Sequence, residues 1–205
     1  GRRIHLSGLT TGTPTQVVVT ARLPYVTDGE GMHAFTDPAD GAVYAGAYCG
    51  MDLAQRVFPC FDQNDLKAPI ALRVKAPADW TVIANGAVLA RDDGAWTFAT
   101  TPPIPPALFI AVGGPYRSVR WEHAGLPFAW HVRQSLGAAL DRDADWLRRA
   151  TEACFDHYAA LFTEPYPFDS YDQVFVPGLN WGAQEMPGAI SYRDEFLRVG
   201  EPTEP

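Results

Sequence analysis

The sequence has few cysteines and no long apolar run. Its three cysteines, Cys49, Cys60 and Cys154, are widely spaced, which fits neither a disulfide framework nor a Cys-x-x-Cys metal site. No stretch approaches the roughly 20 apolar residues that span a bilayer, and no apolar signal-peptide core follows Gly1-Arg2-Arg3. We therefore expect no contact with a membrane, and the absence of a disulfide pattern favours a reducing, cytoplasmic location.

Positive charge is also scarce. The chain has 16 Lys and Arg residues against 24 Asp and Glu residues, which gives a formal net charge of −8. No run of Lys or Arg is present that could neutralise a phosphate backbone. We therefore expect no nucleic acid among the partners of this protein.

Several catalytic motifs are absent. None of the five histidines opens a His-Glu-x-x-His zinc motif, and there is no Gly-x-Ser-x-Gly elbow, phosphate loop or dinucleotide fingerprint. His123 and His131 lie in strand-like sequence, where ordinary core or surface placement is favoured over metal binding. Cys60 has apolar neighbours and no nearby His or Lys that would activate it, so we interpret it as a structural cysteine rather than a nucleophile.

The residues that are present predict a mainly β fold. Hydrophobic residues make up 47% of the chain, enough for a sizeable core, while 18 Gly and 18 Pro disfavour an all-helical protein. Turns are predicted at Asn85-Gly86, Asp93-Gly94 and Gly113-Gly114-Pro115. Short strand patterns recur between turn signals, as in an antiparallel sandwich or saddle, at residues 16–21, 70–76, 80–84, 95–100, 107–112, 116–121 and 127–132.

The pattern changes near residue 135. Apolar residues then recur at steps of three and four, which predicts one amphipathic helix at residues 139–162, ended by Pro165 and Pro167. Strands are predicted at residues 171–176 and 189–192. We place a domain boundary here and predict two units, residues 1–135 and 136–205. The predicted helix stripe consists of Leu140, Ala144, Leu147, Thr151, Cys154, Tyr158 and Leu161.

Two segments carry a family pattern. The sequence AQRVFPCFDQNDLKA at residues 54–68 resembles the pattern A-R-R-x-F-P-C-x-D-x-P-x-x-K-A. The sequences EPYP at 164–167, GAQEM at 182–186 and YRDE at 192–195 resemble a "PYP … GAMEN … YR-E" region. Both patterns are those of the M1 (gluzincin) zinc aminopeptidases, and the resemblance runs from about Gly29 to Val199.

The resemblance implies a fold and a function. Residues 1–135 would be the N-terminal β-saddle domain without its beginning, and residues 136–205 would open a thermolysin-like α+β catalytic domain that is cut before the zinc motif. The full-length protein would use zinc to remove N-terminal residues from peptides, which it recognises by their free N-terminus. The chain itself would hold no catalytic residue and no metal, would be inactive alone, and would pack against the remaining catalytic domain.

The resemblance also implies which residues contact substrate. Glu185 stands at the position of a carboxylate that binds the substrate's α-ammonium. The backbone of Gly182 and Ala183 would run beside the substrate as an added strand, with Gln184 and Met186 in place of the family's Met and Asn. A second acid normally lies upstream in a Gln-x-Glu pattern, where this chain has Tyr48 and Gly50.

These departures leave alternatives open. The missing second acid implies either a different choice of substrate or a homologue without peptidase activity. The first alternative to an enzyme is therefore a non-catalytic M1-like scaffold that uses the saddle domain as a binding surface. The second is an unrelated, stand-alone β-sandwich binding module.

Overall fold

The computed structural model describes residues 3–197. Within them the fold is mainly β with one late helix, so the predicted fold class is confirmed. The helix α1 spans Gly137–Leu161. The strands are β1 Gly31–Thr36, β2 Val43–Tyr48, β3 Arg73–Lys75, β4 Thr81–Ala84, β5 Val88–Asp92, β6 Ala95–Phe98, β7 Ala111–Gly114, β8 Tyr116–His123, β9 Leu126–Arg133, β10 Tyr171–Val176, β11 Ala183–Gln184 and β12 Ala189–Arg193.

The strands form three sheets. An antiparallel four-stranded sheet has the order β1-β2-β7-β4, and a three-stranded sheet has the order β3-β6-β5. A five-stranded sheet has the order β11-β12-β10-β9-β8 and is mixed, because β10 runs parallel to both β9 and β12. The strands of this last sheet come from both parts of the chain, because β8 and β9 precede residue 135 and β10, β11 and β12 follow it. The predicted division into two domains at that residue therefore stays a prediction. The chain passes from the four-stranded sheet to the five-stranded sheet at Pro115, between β7 and β8.

The five-stranded sheet is covered on both faces by apolar packing. On one face Trp130, Val132 and Phe175 pack against Leu140 and its neighbours at the start of α1. On the other face the core is shared with the four-stranded sheet. That shared core contains Tyr44, Tyr48, Ile83, Ile110, Val112, Tyr116, Val174, Val176, Leu179, Met186 and Ala189.

Two hairpins close through residues in the left-handed region. Asp93 and Gly94 have φ of 43° and 73° and join β5 to β6, as the sequence predicted. Ala124 and Gly125 have φ of 51° and 76° and join β8 to β9 at a turn that the sequence analysis missed. Asn85-Gly86 is not a hairpin turn, because β4 pairs with β7 and not with β5.

The helix α1 agrees with its predicted span, but its apolar stripe is buried only at its beginning. Leu140 is fully buried, whereas Tyr158 and Leu161 are more than half exposed. Phe155, outside the predicted stripe, instead packs its ring against Phe128 and Tyr171. Within residues 3–197, no helix combines the length and the apolar character that crossing a bilayer requires.

The strand prediction failed in several places, and β5 and the two-residue β11 were among the strands that it missed. Residues 16–21 are not a strand, because no neighbouring strand in the described part of the chain pairs with them, and Val18 is 80% exposed. β1 and β2 were not predicted, since their alternation is diluted by Gly and Ala. Residues 107–112 hold a short 3-10 turn, Pro106–Leu108, before β7 begins at Ala111.

A buried ionic cluster ties the two large sheets together. The Arg133 Nε donates to Asp194 at 2.7 Å, and an Arg133 terminal nitrogen donates to Asp37 at 2.8 Å. Ser135 Oγ donates to the second Asp37 oxygen at 2.5 Å. Asp37 follows β1 and is fully buried, so its charge depends on these donors.

The Asp37 carboxyl should make stability depend on pH. Burial alone would raise the pKa of Asp37, but hydrogen bonds from Ser135, the Ala39 N–H and Arg133 outweigh burial and hold this pKa below its usual 3.8. The unfolded chain then binds this proton more tightly than the folded chain does. The resulting stabilisation is present above about pH 4 and is lost as the pH falls through the lower, folded-state pKa.

We expect Asp37→Asn to flatten the acid-side fall in unfolding free energy, measured by urea denaturation between about pH 2 and pH 5. Asp194→Asn is the matched control. Burial raises the pKa of Asp194, so the folded protein should lose stability as the pH rises above about 4 and this carboxyl ionises. Asp194→Asn should remove that loss, which is the opposite of the effect expected for Asp37→Asn. An Asp37→Asn variant with the same acid-side slope as the parent would contradict the assignment.

Candidate binding cleft

A cleft with a volume of about 320 Å³ lies beside the edge strand β11. Three parts of the chain form its walls: the residues after β2, the segment before β7, and the loop that follows β11. A depression near Asn85 and Phe98 has space for no molecule, so it is not a competing site. The residues that line the cleft are Gly50, Met51, Asn64, Pro105, Ala107, Leu108, Gln184 and Glu185.

The buried Asn85 side chain joins two walls of the cleft. Its Nδ2 donates to the Leu108 carbonyl at 2.8 Å and to the Pro187 carbonyl at 2.9 Å, while its Oδ1 accepts from the Ile110 N–H at 2.9 Å. The chain passes so close here that a Cβ on Gly188 would lie 1.9 Å from the Asn85 carbonyl oxygen. Gly188 also has φ of +77°, so both space and backbone conformation require glycine.

The five predicted contact residues separate into three environments. Ala183 and Gln184 form β11, which pairs antiparallel with β12, and the Gly182 carbonyl accepts from the Arg193 N–H at 2.9 Å. β11 is the outermost strand of its sheet, so its other edge has no partner strand within residues 3–197. Gln184 and Glu185 line the cleft. Met186 is only 2% exposed and lies in the shared core, not in the cleft.

The position predicted for a second acid also borders the cleft. Gly50 lines it with φ of +46°, and a Cβ there would lie 3.0 Å from the Tyr48 ring. Burial raises the pKa of Tyr48, and the carboxylates of Glu30 and Glu185 raise it further. The Tyr48 hydroxyl therefore lies in the field of two carboxylates, of which Glu185 belongs to the cleft.

Glu185 is the one charged residue among those that line the cleft. It is exposed, and its carboxylate has no hydrogen bond or ion pair with another of the described residues. A fixed carboxylate in a partly apolar cleft attracts a cation that can also donate hydrogen bonds. Sequence reasoning missed Met51, Pro105, Ala107 and Leu108, because nothing in their local pattern shows that they converge on residues 184–185.

The histidines have ordinary placements, in line with the sequence analysis. His131 is 1% exposed and lies in a row with Ser118 Oγ, 2.8 Å from its Nδ1, and Asp172 Oδ1, 3.1 Å from its Nε2. This Ser-His-Asp row borders neither the cleft nor the depression near Asn85, so we interpret it as the hydrogen-bond partners of a buried histidine and not as a catalytic site. His123 bonds to Asp156 at 2.6 Å on the surface.

The cysteines form no disulfide and no metal-binding group in the described part of the chain. All three are free, with Cys49 buried, Cys60 half-buried and Cys154 exposed. Burial raises the pKa of Cys60 to about 11, and the Asp62 carboxylate adds to the shift, which supports its interpretation as a structural cysteine. Residues 3–197 contain no group of three or more His, Cys, Asp or Glu side chains that could hold a metal ion.

Comparison with known proteins agrees with the motifs. The peptidase M1 N-terminal domain family matches residues 20–108. Aminopeptidase N of Streptomyces lividans is 40% identical over 199 residues, which cover 95% of this chain and 23% of that protein. The chain is M1 aminopeptidase N-like. The resemblance inferred from residues 54–68 and 182–195 is thereby confirmed.

Two further relatives extend this similarity to more distant proteins. Aminopeptidase N of Acetobacter pasteurianus is 29% identical over 155 residues, which cover 73% of this chain and 42% of that protein. Human glutamyl aminopeptidase is 26% identical over 150 residues, which cover 70% of this chain and 15% of that protein. The M1-like chain thus spans less than half the length of each of these relatives.

Replacing Asn85 should destabilise the protein and release the loop at residues 182–188. Asn85→Ala leaves two half-buried carbonyls and one buried N–H without their partner, at about 1–3 kcal/mol for each group, so we expect a loss of at least about 3 kcal/mol of unfolding free energy. Asn85→Asp keeps the acceptor for Ile110 but cannot donate to Leu108 or Pro187, so it should also destabilise.

Urea denaturation measures the loss, and hydrogen exchange of residues 182–193 reports on the loop. Asn64→Ala is the control, because Asn64 is exposed and should change stability by less than about 0.5 kcal/mol. An Asn85→Ala variant as stable as this control would show that the cleft walls are held together in another way.

Proposed function

We propose that the full-length protein is a zinc aminopeptidase that removes N-terminal residues from peptides, and that this chain supplies the site for the free amine. The observation that carries the proposal is the position of Glu185, an unpaired carboxylate in a cleft of about 320 Å³ beside an open strand edge. The similarity to proteins named aminopeptidase N supports the reaction class.

The chemistry of the cleft suits the end of a peptide. An aminopeptidase must recognise an α-ammonium group, and a charge-assisted hydrogen bond from that group to a carboxylate contributes about 1.5–3 kcal/mol. The peptide backbone that follows the amine can add to the free edge of β11 as a further strand. Gly182 precedes β11 and allows the substrate backbone a close approach.

The described residues do not fit a zinc site. The chain has no His-Glu-x-x-His motif, and residues 3–197 hold no group of three or more metal-binding side chains. We therefore assign only amine binding and backbone alignment to this chain, and assign zinc and the catalytic groups of the proposed enzyme to the rest of the protein. The exposed end of α1, with Tyr158, Leu161 and Phe162, is the surface on which we place the remaining catalytic domain.

A non-catalytic M1-like scaffold is the second candidate. Gly50 favours it, because one carboxylate holds an ammonium group less tightly than two. The two candidates predict different sequences in the rest of the full-length protein, and its gene can be read to distinguish them. A His-Glu-x-x-His motif with a downstream Glu, within about a hundred residues after position 205, would support the enzyme, and its absence would support the scaffold.

Glu185→Gln should weaken recognition of the amine while it keeps the shape of the side chain. In the full-length protein we expect kcat/KM for a free-amine substrate to fall about 10- to 150-fold, which corresponds to about 1.5–3 kcal/mol. N-acetylated substrates should be cut poorly by the parent and should lose less from the substitution. Glu122→Gln makes the same change on β8, outside the cleft, and should leave kcat/KM unchanged.

An active Glu185→Gln enzyme with unchanged kcat/KM for the free amine would show that the ammonium binds elsewhere.

The 205-residue chain alone should bind no stoichiometric zinc and hydrolyse no aminoacyl substrate, because it lacks the zinc-motif histidines. Metal analysis and a chromogenic aminopeptidase assay on the purified chain test this. One tightly bound zinc ion per chain, or turnover above background, would refute the expectation.

A further inference from the structure

The polar walls of the cleft carry information about the substrate beyond its amine. Three positions at which this chain departs from the M1 pattern border the same cleft: Gly50 in place of an acid, Asn64 in place of Pro, and Gln184 in place of Met. The cleft therefore has one carboxylate, at Glu185, and two side-chain carboxamides. This combination differs in both charge and hydrogen bonding from the quoted pattern.

The carboxamide of Gln184 has an unmet hydrogen bond. Its Oε1 is shielded from solvent and has no donor among the described residues. Buried acceptors without donors are uncommon in folded proteins, and one that borders a binding cleft is explained when a ligand supplies the donor. Gln184 also lies on β11, next to Glu185, and both residues line the cleft, so the Gln184 carboxamide can turn toward a donor on the substrate's first side chain while the ammonium binds Glu185.

The charge of the cleft restricts that side chain further. Glu185 is neutralised by the substrate's ammonium, and no second carboxylate lines the cleft to bind a cationic side chain. No Lys or Arg lines it to bind an anionic one. The first side chain that fits is therefore uncharged.

The remaining walls fit a short aliphatic stem that ends in a polar group. Met51, Ala107 and Leu108 offer apolar contact to such a stem. The side-chain amides of Asn64 and Gln184 both donate and accept hydrogen bonds. A carboxamide on the substrate's first side chain can accept from these donors and donate to these acceptors.

We propose that the cleft selects peptides whose N-terminal residue has an uncharged polar side chain, glutamine or asparagine foremost, and that Gln184 is the residue that determines this specificity. The inference rests on the proposed function, since it takes the amine to be bound at Glu185. Asn64 is a second contact on the opposite wall.

Binding to the full-length protein, treated with a chelator so that the proposed zinc enzyme does not hydrolyse the amides, tests the inference without requiring turnover. Isothermal titration calorimetry with glutamine amide, leucine amide, lysine amide and N-acetylglutamine amide compares side chains at a constant amine. We expect glutamine amide to bind about tenfold more tightly than leucine amide or lysine amide, and the acetylated ligand to bind weakly.

Gln184→Met should reverse the order of glutamine amide and leucine amide. Gln63→Met is the matched control, because it makes the same chemical change at an exposed residue outside the cleft lining, and it should keep the parent's order. Asn64→Ala should reduce the preference for glutamine amide about threefold without abolishing it.

The outcomes separate the two proposals. If no free-amine ligand binds, or if Glu185→Gln leaves all affinities unchanged, the proposed amine site fails and this inference falls with it. If free-amine ligands bind through Glu185 but leucine amide or lysine amide binds best, or Gln184→Met leaves the order unchanged, only the specificity inference is overturned.

Discussion

The cleft depends on the Asn85 carboxamide. This side chain lies at the end of β4, and its three hydrogen bonds hold the segment before β7 and the loop after β11 against the same point. Leu108 lines the cleft on one side of that point, and residues 184–185 line it on the other. A carboxylate discriminates for an ammonium group only when its position is fixed before the ligand arrives, because ordering it afterwards costs conformational entropy.

A second polar contact orients the sheets that carry these walls. Apolar packing between the four-stranded and five-stranded sheets is non-directional and would allow several relative positions. Arg133 removes that freedom, because its planar guanidinium must meet Asp37 beside β1 and Asp194 after β12 at the same time. Asn85 and Arg133 thus fix the same pair of sheets at two separate places.

The sequence predicted elements with a strong local period and missed those that depend on distant partners. The helix and β10 were found because their apolar periods are regular. Residues 16–21 have high β propensity but no partner strand within residues 3–197, and a strand needs its neighbour's hydrogen bonds as well as propensity. Glu185 was singled out by its motif. Asn85 was interpreted as a turn residue, because nothing near position 85 shows that Pro187 lies against its side chain.

The backbone at Gly50 disfavours the second acid that the M1 pattern has at this position. With φ of +46° and a Cβ that would lie 3.0 Å from the Tyr48 ring, this position disfavours any side chain, so restoring the acid would require the chain after β2 to move. Amine binding in the proposed enzyme then rests on Glu185 alone. β11, Gly188 and Asn85 hold the backbone of the loop that carries Glu185, while its exposed carboxylate has no partner among the described residues. The backbone of the loop therefore determines where this single carboxylate can meet the ammonium group.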